Sequence, residues 1–172
     1  PALWAAEYQL SHHVGDRCAY TFCMCPGGYV VPSADREDAV VTNGMSCFAR
    51  DDVNSNSALL VNVTPDDFGS EHPLAGMYFQ RDIEEKAYIA GGSDYSAPVI
   101  LVGDFLDNCL SVEFGRVQSS YRPKVKFAMP QEYLPEFVCR SLKSGIVEMG
   151  RKIKGFDDKD AVLTGVESRS SS

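Results

Sequence analysis

The stretch that most limits the fold runs from Thr21 to Pro32, where Thr21-Phe22-Cys23-Met24-Cys25 meets Pro26-Gly27-Gly28 and then Tyr29-Val30-Val31. It predicts a strand, a tight turn and a second strand running back, a hairpin over residues 19–34. Side chains alternate along an extended chain, so Thr21, Cys23 and Cys25 are expected on one face, with Phe22 and Met24 on the other. Pro26 presets φ for the first turn position, and Gly27 or Gly28 supplies the positive φ of a type II turn. Two thiols beside a backbone stripped of side chains suit the close approach of a flat ligand. An ordinary hairpin with two buried, inert cysteines would read the same way.

The totals narrow the field. At 172 residues the chain has the size of one domain with a real core. A net charge of −8 with no Lys/Arg-rich run argues against nonspecific nucleic-acid binding. No apolar run approaches a membrane span, and Leu3 to Ala6 is too short for a signal-peptide core. A cytoplasmic protein is therefore expected, its six cysteines at 18, 23, 25, 47, 109 and 139 held as thiols. No metal is expected: Cys-x-Cys lacks zinc spacing, and neighbours such as His12 and His13 point apart in a strand. A zinc cluster of His12, His13, Cys18, Cys23 and Cys25 would need ligands folded back from a loop. His72, just before Pro73, belongs at the approach to a helix.

Along the chain, residues 1–17 read as an irregular or extended lead-in. Asp35 to Asp38 is a charged turn; Ala39 to Thr42 is a short strand ending at an Asn43-Gly44 turn. A polar loop, Arg50 to Ser57, precedes Ala58 to Val63, a strand apolar enough to be buried on both faces. A helix is predicted from Leu74 to Ala90, with Pro73 before it, Gly91-Gly92 after it and a stripe of Phe79, Ile83, Ala87 and Ala90. Strand and loop compete over Pro98 to Leu106. A second helix is predicted from Leu134 to Lys154, its stripe being Val138, Leu142, Gly145, Met149 and Ile153, with Lys152 and Lys154 suited to its negative end. Ala161 to Val166 closes the chain as a strand. Strands early, two long helices and no βαβ alternation give an α+β class of short, mostly antiparallel strands.

Several polar residues suit either turns or ligands: Asn43, Arg50, Asn54, Asn56 and Ser57 around the polar loop, and Tyr121-Arg122 beside Pro123. Arg122 and Arg169 could each hold a carboxylate or phosphate in a bidentate fork. No G-x-G-x-x-G, P-loop or Gly-x-Ser-x-Gly is present.

Taken together, Phe22 to Val31, Val41 to Ser46, Asn54 to Val61 and Gly165 to Ser171 resemble bacterial flavoproteins described as FAD-dependent, or NAD(FAD)-utilising, dehydrogenases of unassigned substrate. Further matches are His72 to Gly76, Gly103 to Phe105, Ser119 to Pro123, Leu134 to Val138 and Lys152 to Phe156. In that family the Rossmann-type FAD domain is split, and a segment like this is inserted between its halves. The resemblance implies a substrate or cap domain over residues 1–166, with 167–172 starting the connection back to the FAD domain. It also fits a chain that begins at Pro1 and stops after an arginine among serines. FAD would sit in the parent chain rather than on this domain alone. The implied partners are the flanking FAD-binding domain and an unknown small-molecule substrate, with NAD(P)H optional. Cys23 and Cys25 become catalytic candidates; Pro26, Gly27, Gly28, Asn43, Arg50, Asn54, Asn56, Ser57, Tyr121, Arg122 and Arg169 become cofactor- or substrate-facing candidates. The alternative is a non-catalytic binding module whose acidic surface and long second helix meet a protein partner.

Overall fold

Two apolar stripes bounded by proline and glycine become the two long helices. The computed structural model describes residues 10–169. In chain order the strands β1 (Ser11–Val14), β2 (Arg17–Cys25), β3 (Gly28–Pro32), β4 (Thr42–Ser46) and β5 (Asn56–Val61) come first. Then follow helix α1 (Ala75–Gly91), β6 (Ala97–Leu101), α2 (Val102–Asp107), β7 (Val125–Phe127), α3 (Glu136–Lys152) and β8 (Val162–Thr164). The fold is α+β, with three small sheets ordered β1-β2-β5, β3-β4 and β7-β6-β8. Every strand pair is antiparallel except the parallel β6–β7 pair.

The predicted hairpin is not formed. β2 and β3 are joined by the tight turn, yet β2 pairs with β1 and β5 while β3 pairs with β4. The turn therefore passes the chain from one sheet to another. Within the irregular or extended lead-in expected over residues 1–17, residues 11–14 are extended as β1 and Arg17 opens β2; residues 1–9 lie outside the described residues.

The Asn43-Gly44 turn is also absent. Both residues lie inside β4, opposite Val31 and Val30. Gly44 is needed here for space, since a Cβ would collide with the Asn56 side chain. Ala39, Val40 and Val41 are buried but precede β4 rather than forming it. β5, expected to be buried on both faces, is half-buried throughout.

The fully buried strand is β6, the segment where strand and loop competed. Pro98 is tolerated in this central strand because β8 has given way to Gly165 beside it. The Pro98 carbonyl accepts a bond of 2.9 Å from Gly165 N–H, so the ring removes only the reciprocal bond. The rest of that segment is helix α2 rather than strand or loop, and within it the Asp104 carboxylate accepts a hydrogen bond from the Ser111 hydroxyl.

α1 covers β6, burying Ile83, Ala87 and Ala90 with Tyr121, Tyr133 and Val166. α3 lies over β1, β2 and β5. Its buried line is Cys139, Ser141, Gly145, Ile146 and Met149, rotated slightly from the predicted stripe, of which Gly145 and Met149 stay buried. At Gly145 a Cβ would lie 2.7 Å from that of Ala19, so glycine sets how closely α3 approaches β2.

Candidate functional site

The Cys23–Gly28 segment is built from a broken strand. Register runs Phe22↔Ala58 and then Met24↔Ser57, which leaves Cys23 unpaired in a bulge at φ 51. Thr21 is buried, Cys23 exposed and Cys25 half-buried, so the single face predicted for these three residues is lost at the bulge. Exposed Pro26 leads to Gly27, which adopts the positive φ, 53. The Ser46 hydroxyl donates to the Pro26 carbonyl at 2.8 Å, and the Gly28 N–H donates to the Asn54 carbonyl at 2.8 Å.

Both turn glycines are buried, and their bare backbone is met by the chain itself. A Cβ on Gly27 would overlap the backbone of Arg50 and Asp51; one on Gly28 would overlap the Met45 carbonyl. The polar loop after β4 is thus laid directly over the turn. Asn54 donates to the Gln118 carbonyl at 2.9 Å, and Asn56 to the Met45 carbonyl at 3.1 Å. Ser57 donates to the Ala58 carbonyl at 3.3 Å. Ser120 accepts a 3.1 Å bond from Val30 N–H, tying the 118–121 segment to β3.

Cys25, Pro26, Gly27, Gly28, Arg50, Asn54 and Asn56 are therefore gathered around one turn. Arg50 and Asn43 are exposed there; Asn43 sits on β4. Tyr121 points into the core, its hydroxyl donating to the Tyr95 carbonyl at 3.3 Å, while Arg122 is exposed. Arg169 does hold a carboxylate, but one belonging to this chain. Its Nε and Nη2 reach the two Glu84 oxygens at 3.2 and 3.1 Å, and Nη2 also meets Asp35 at 2.6 Å.

Glu84 is the functional-looking residue that the sequence reading missed. It is fully buried on α1 and accepts from Ser168 at 2.6 Å and Gln80 at 2.9 Å as well. Burial alone would raise its pKa; the bonds from Arg169, Ser168 and Gln80 outweigh that, and the carboxyl titrates below its ordinary value. A signal was present. Glu84 lies three residues before Ala87, on the stripe that faces the core, and a carboxylate there requires a cation.

Glu167 also went unnoticed. It is half-buried on the strap after β8, and burial pushes its carboxyl up. It lies close enough to Cys25 to raise that thiol, which burial raises most, with Cys23 adding to the shift and Arg50 opposing it. The Cys25 environment favours the thiol over the thiolate, the reverse of what an attacking sulfur needs. All six cysteines are free.

Two hollows lie elsewhere. One of about 470 Å³ opens between the β1–β2 turn and α3, lined by Gly15, Asp16, Arg17, Phe137, Arg140 and Ser141. Arg17 in its wall is taken by a fork to Asp67 and stacks 4.4 Å over Phe137. Another, of about 140 Å³, lies between Lys86, Ile89, Lys126 and Glu132. Neither touches the Cys23–Gly28 turn. Among the described residues no group of His, Cys, Asp and Glu is arranged to hold a metal. His12 bonds Ser144 at 3.1 Å, and His72 accepts from Leu74 N–H at 3.1 Å just before α1. No helix among the described residues is long and apolar enough to cross a membrane.

Residues 1–170 match the family model described as "FAD-dependent protein, C-terminal domain-like". A protein from Clostridium beijerinckii that carries the name "Uncharacterized protein" is 48% identical over 173 residues. The match covers 99% of this chain and 32% of that protein, so the chain spans about a third of its relative's length.

Proposed function

Because this chain belongs to the FAD-dependent protein, C-terminal domain-like family, we propose that it is the cap or substrate-side domain of a flavin-dependent oxidoreductase, inserted into a split Rossmann-type FAD domain. The observation that carries this reading is the family match itself: residues 1–170 match a domain of FAD-dependent proteins, and the chain spans about a third of its relative's length.

The residues described do not by themselves fit FAD. The bare glycines are covered by the chain's own loop, and neither hollow has the glycine-rich backbone cradle that a pyrophosphate needs. The flavin belongs to the flanking chain in this reading, and this domain contributes a wall. Exposed Asn43, Arg50 and Arg122 supply hydrogen-bond donors to that wall, whereas the amides of Asn54 and Asn56 are spent on the Gln118 and Met45 carbonyls. Orientation and electrostatics are what a protein adds to a flavin's redox chemistry. The high-pKa Cys25 thiol fits packing better than redox exchange. The substrate is a small molecule taken up between the two parts, with NAD(P)H optional, in a cytoplasmic protein of reduced thiols.

The visible absorption spectrum of the natural-length chain, beside that of residues 1–172, tests the reading. A yellow natural-length protein and a colourless 1–172 piece are expected. A yellow 1–172 piece, or a natural-length chain that stays colourless with added FAD, would defeat it.

A further inference from the structure

The hollow of about 470 Å³ between the β1–β2 turn and α3 is walled by donors that the fold leaves unused, and it has room for a small organic molecule. Arg17 in its wall is fixed from three sides, by the Asp67 carboxylate, by the Asn62 carbonyl at 3.3 Å and by the Phe137 ring at 4.4 Å. It is fixed but not exhausted. A guanidinium carries five N–H donors. Nη1 donates to Asp67 and to the Asn62 carbonyl, and Nη2 donates once, to the other Asp67 oxygen. The two remaining donors, on Nε and Nη2, lie along one edge of the plane and have no acceptor among the described residues. An edge of that kind matches the two oxygens of a carboxylate. Arg140, three residues beyond Phe137 on α3, is exposed, lines the same hollow and makes no ion pair with a described residue. Buried Ser141 beside it adds a hydroxyl to the lining.

We propose that this hollow binds a small organic monocarboxylate, with its carboxylate on the Nε–Nη2 edge of Arg17 and on Arg140, and its apolar body against Val14 and Phe137. Charge selects that class of anion. The guanidiniums of Arg17 and Arg140 are already matched by the carboxylates of Asp67 and of Asp16, which stands exposed in the same wall. A dianionic phosphate would bring two negative charges to a site with no surplus of positive charge. A carboxylate brings one, and its flat pair of oxygens takes up the free edge. The hollow does not touch the Cys23–Gly28 turn, so the proposal stands apart from the flavin reading.

Calorimetric titration of the natural-length chain with benzoate, and separately with inorganic phosphate at the same ionic strength, tests the proposal. Saturable binding of benzoate is expected, with phosphate weaker. Arg140→Glu changes an exposed side chain and leaves the Arg17–Asp67 fork in place. It should weaken benzoate about tenfold or more, because a charge-assisted hydrogen bond is lost and a repelling carboxylate takes its place. Arg151→Glu, on the same helix and outside the hollow, is the control and should bind benzoate as the native protein does. Absence of benzoate binding would overturn the proposal. So would native affinity in Arg140→Glu, which would place benzoate elsewhere, the proposed flavin-facing wall included. Equal weakening in Arg151→Glu would reduce the effect to general surface charge and overturn it as well. Phosphate binding tighter than benzoate would overturn the choice of a monocarboxylate.

Discussion

The turn that joins β2 to β3 and the clasp that joins α1 to the C-terminal strap use polar residues in opposite ways. At the turn, Asn54, Asn56 and Ser46 hold the backbone while the larger side chains stand in solvent. At the clasp, Glu84 is sealed in the core and only Arg169 and Asp35 reach outward. The first region resists change through backbone crowding around glycine; the second resists it through a buried charge that needs its partner. Residues that looked alike in the sequence, Arg50 and Arg169, accordingly have different fates. One is exposed beside a candidate binding face, and the other is consumed within the fold.

The contrast is sharpest at the clasp. Glu84→Ala should leave Ser168 without its acceptor and Arg169 with Asp35 alone, and detach the strap from α1. A loss of about 2–4 kcal/mol in unfolding free energy is expected, the low side of a broken buried pair because Arg169 is one-third exposed. Urea denaturation of the purified chain measures it, and a midpoint equal to that of the native protein would remove the clasp from the argument.

Gly27→Ala should come next. It forces a side chain to φ 53 and against the Arg50 and Asp51 backbone, which costs about 1–3 kcal/mol. The same denaturation series gives the number. If the exposed loop simply moved aside, stability would change little while protease cleavage between Cys47 and Asn54 rose, and the claim of a rigidly seated loop would fail.

A smaller effect tests whether a surface-side pair behaves as the buried one does. The guanidinium fork of Arg17 holds the Asp67 carboxyl down to about 2 from an ordinary 3.8, against the opposing pull of burial. A carboxyl depressed in the folded state contributes stability above its unfolded pKa and loses it as pH falls toward the folded value. Stability should therefore decline between about pH 4 and pH 2 through this pair. Asp67→Asn should flatten that part of the pH profile, and an unchanged acid limb would assign the decline to other carboxyls.

The smallest change belongs to the thiols. Cys23→Ser with Cys25→Ser in the natural-length chain should leave flavin reduction kinetics as they were and alter stability by about 0.5 kcal/mol or less, as exposed or half-buried sites do. A large fall in the reduction rate, measured by stopped-flow bleaching of the flavin, would restore Cys25 as a reacting group.

The sequence alone determined the α+β class, the two long helices and the existence of the turn. Those features depend on local chemistry: Pro73 and Gly91-Gly92 bound α1, the stripe through Ile83 and Ala87 buries it, and Pro26-Gly27 can hardly do anything but turn. Tertiary structure decided which strands pair. The hairpin expectation failed because β2 found β1 and β5, and a turn signal says that the chain reverses without saying which neighbour it will bond. Asn43-Gly44 misled for a related reason: the glycine makes room for the Asn56 side chain, twelve positions further along the sequence. The candidate face was legible as a list of residue types and not as a surface. Only the folded chain put Arg50 over Gly27, turned Tyr121 inward and gave Arg169 to Glu84, because burial and charge pairing depend on contacts between residues far apart along the chain.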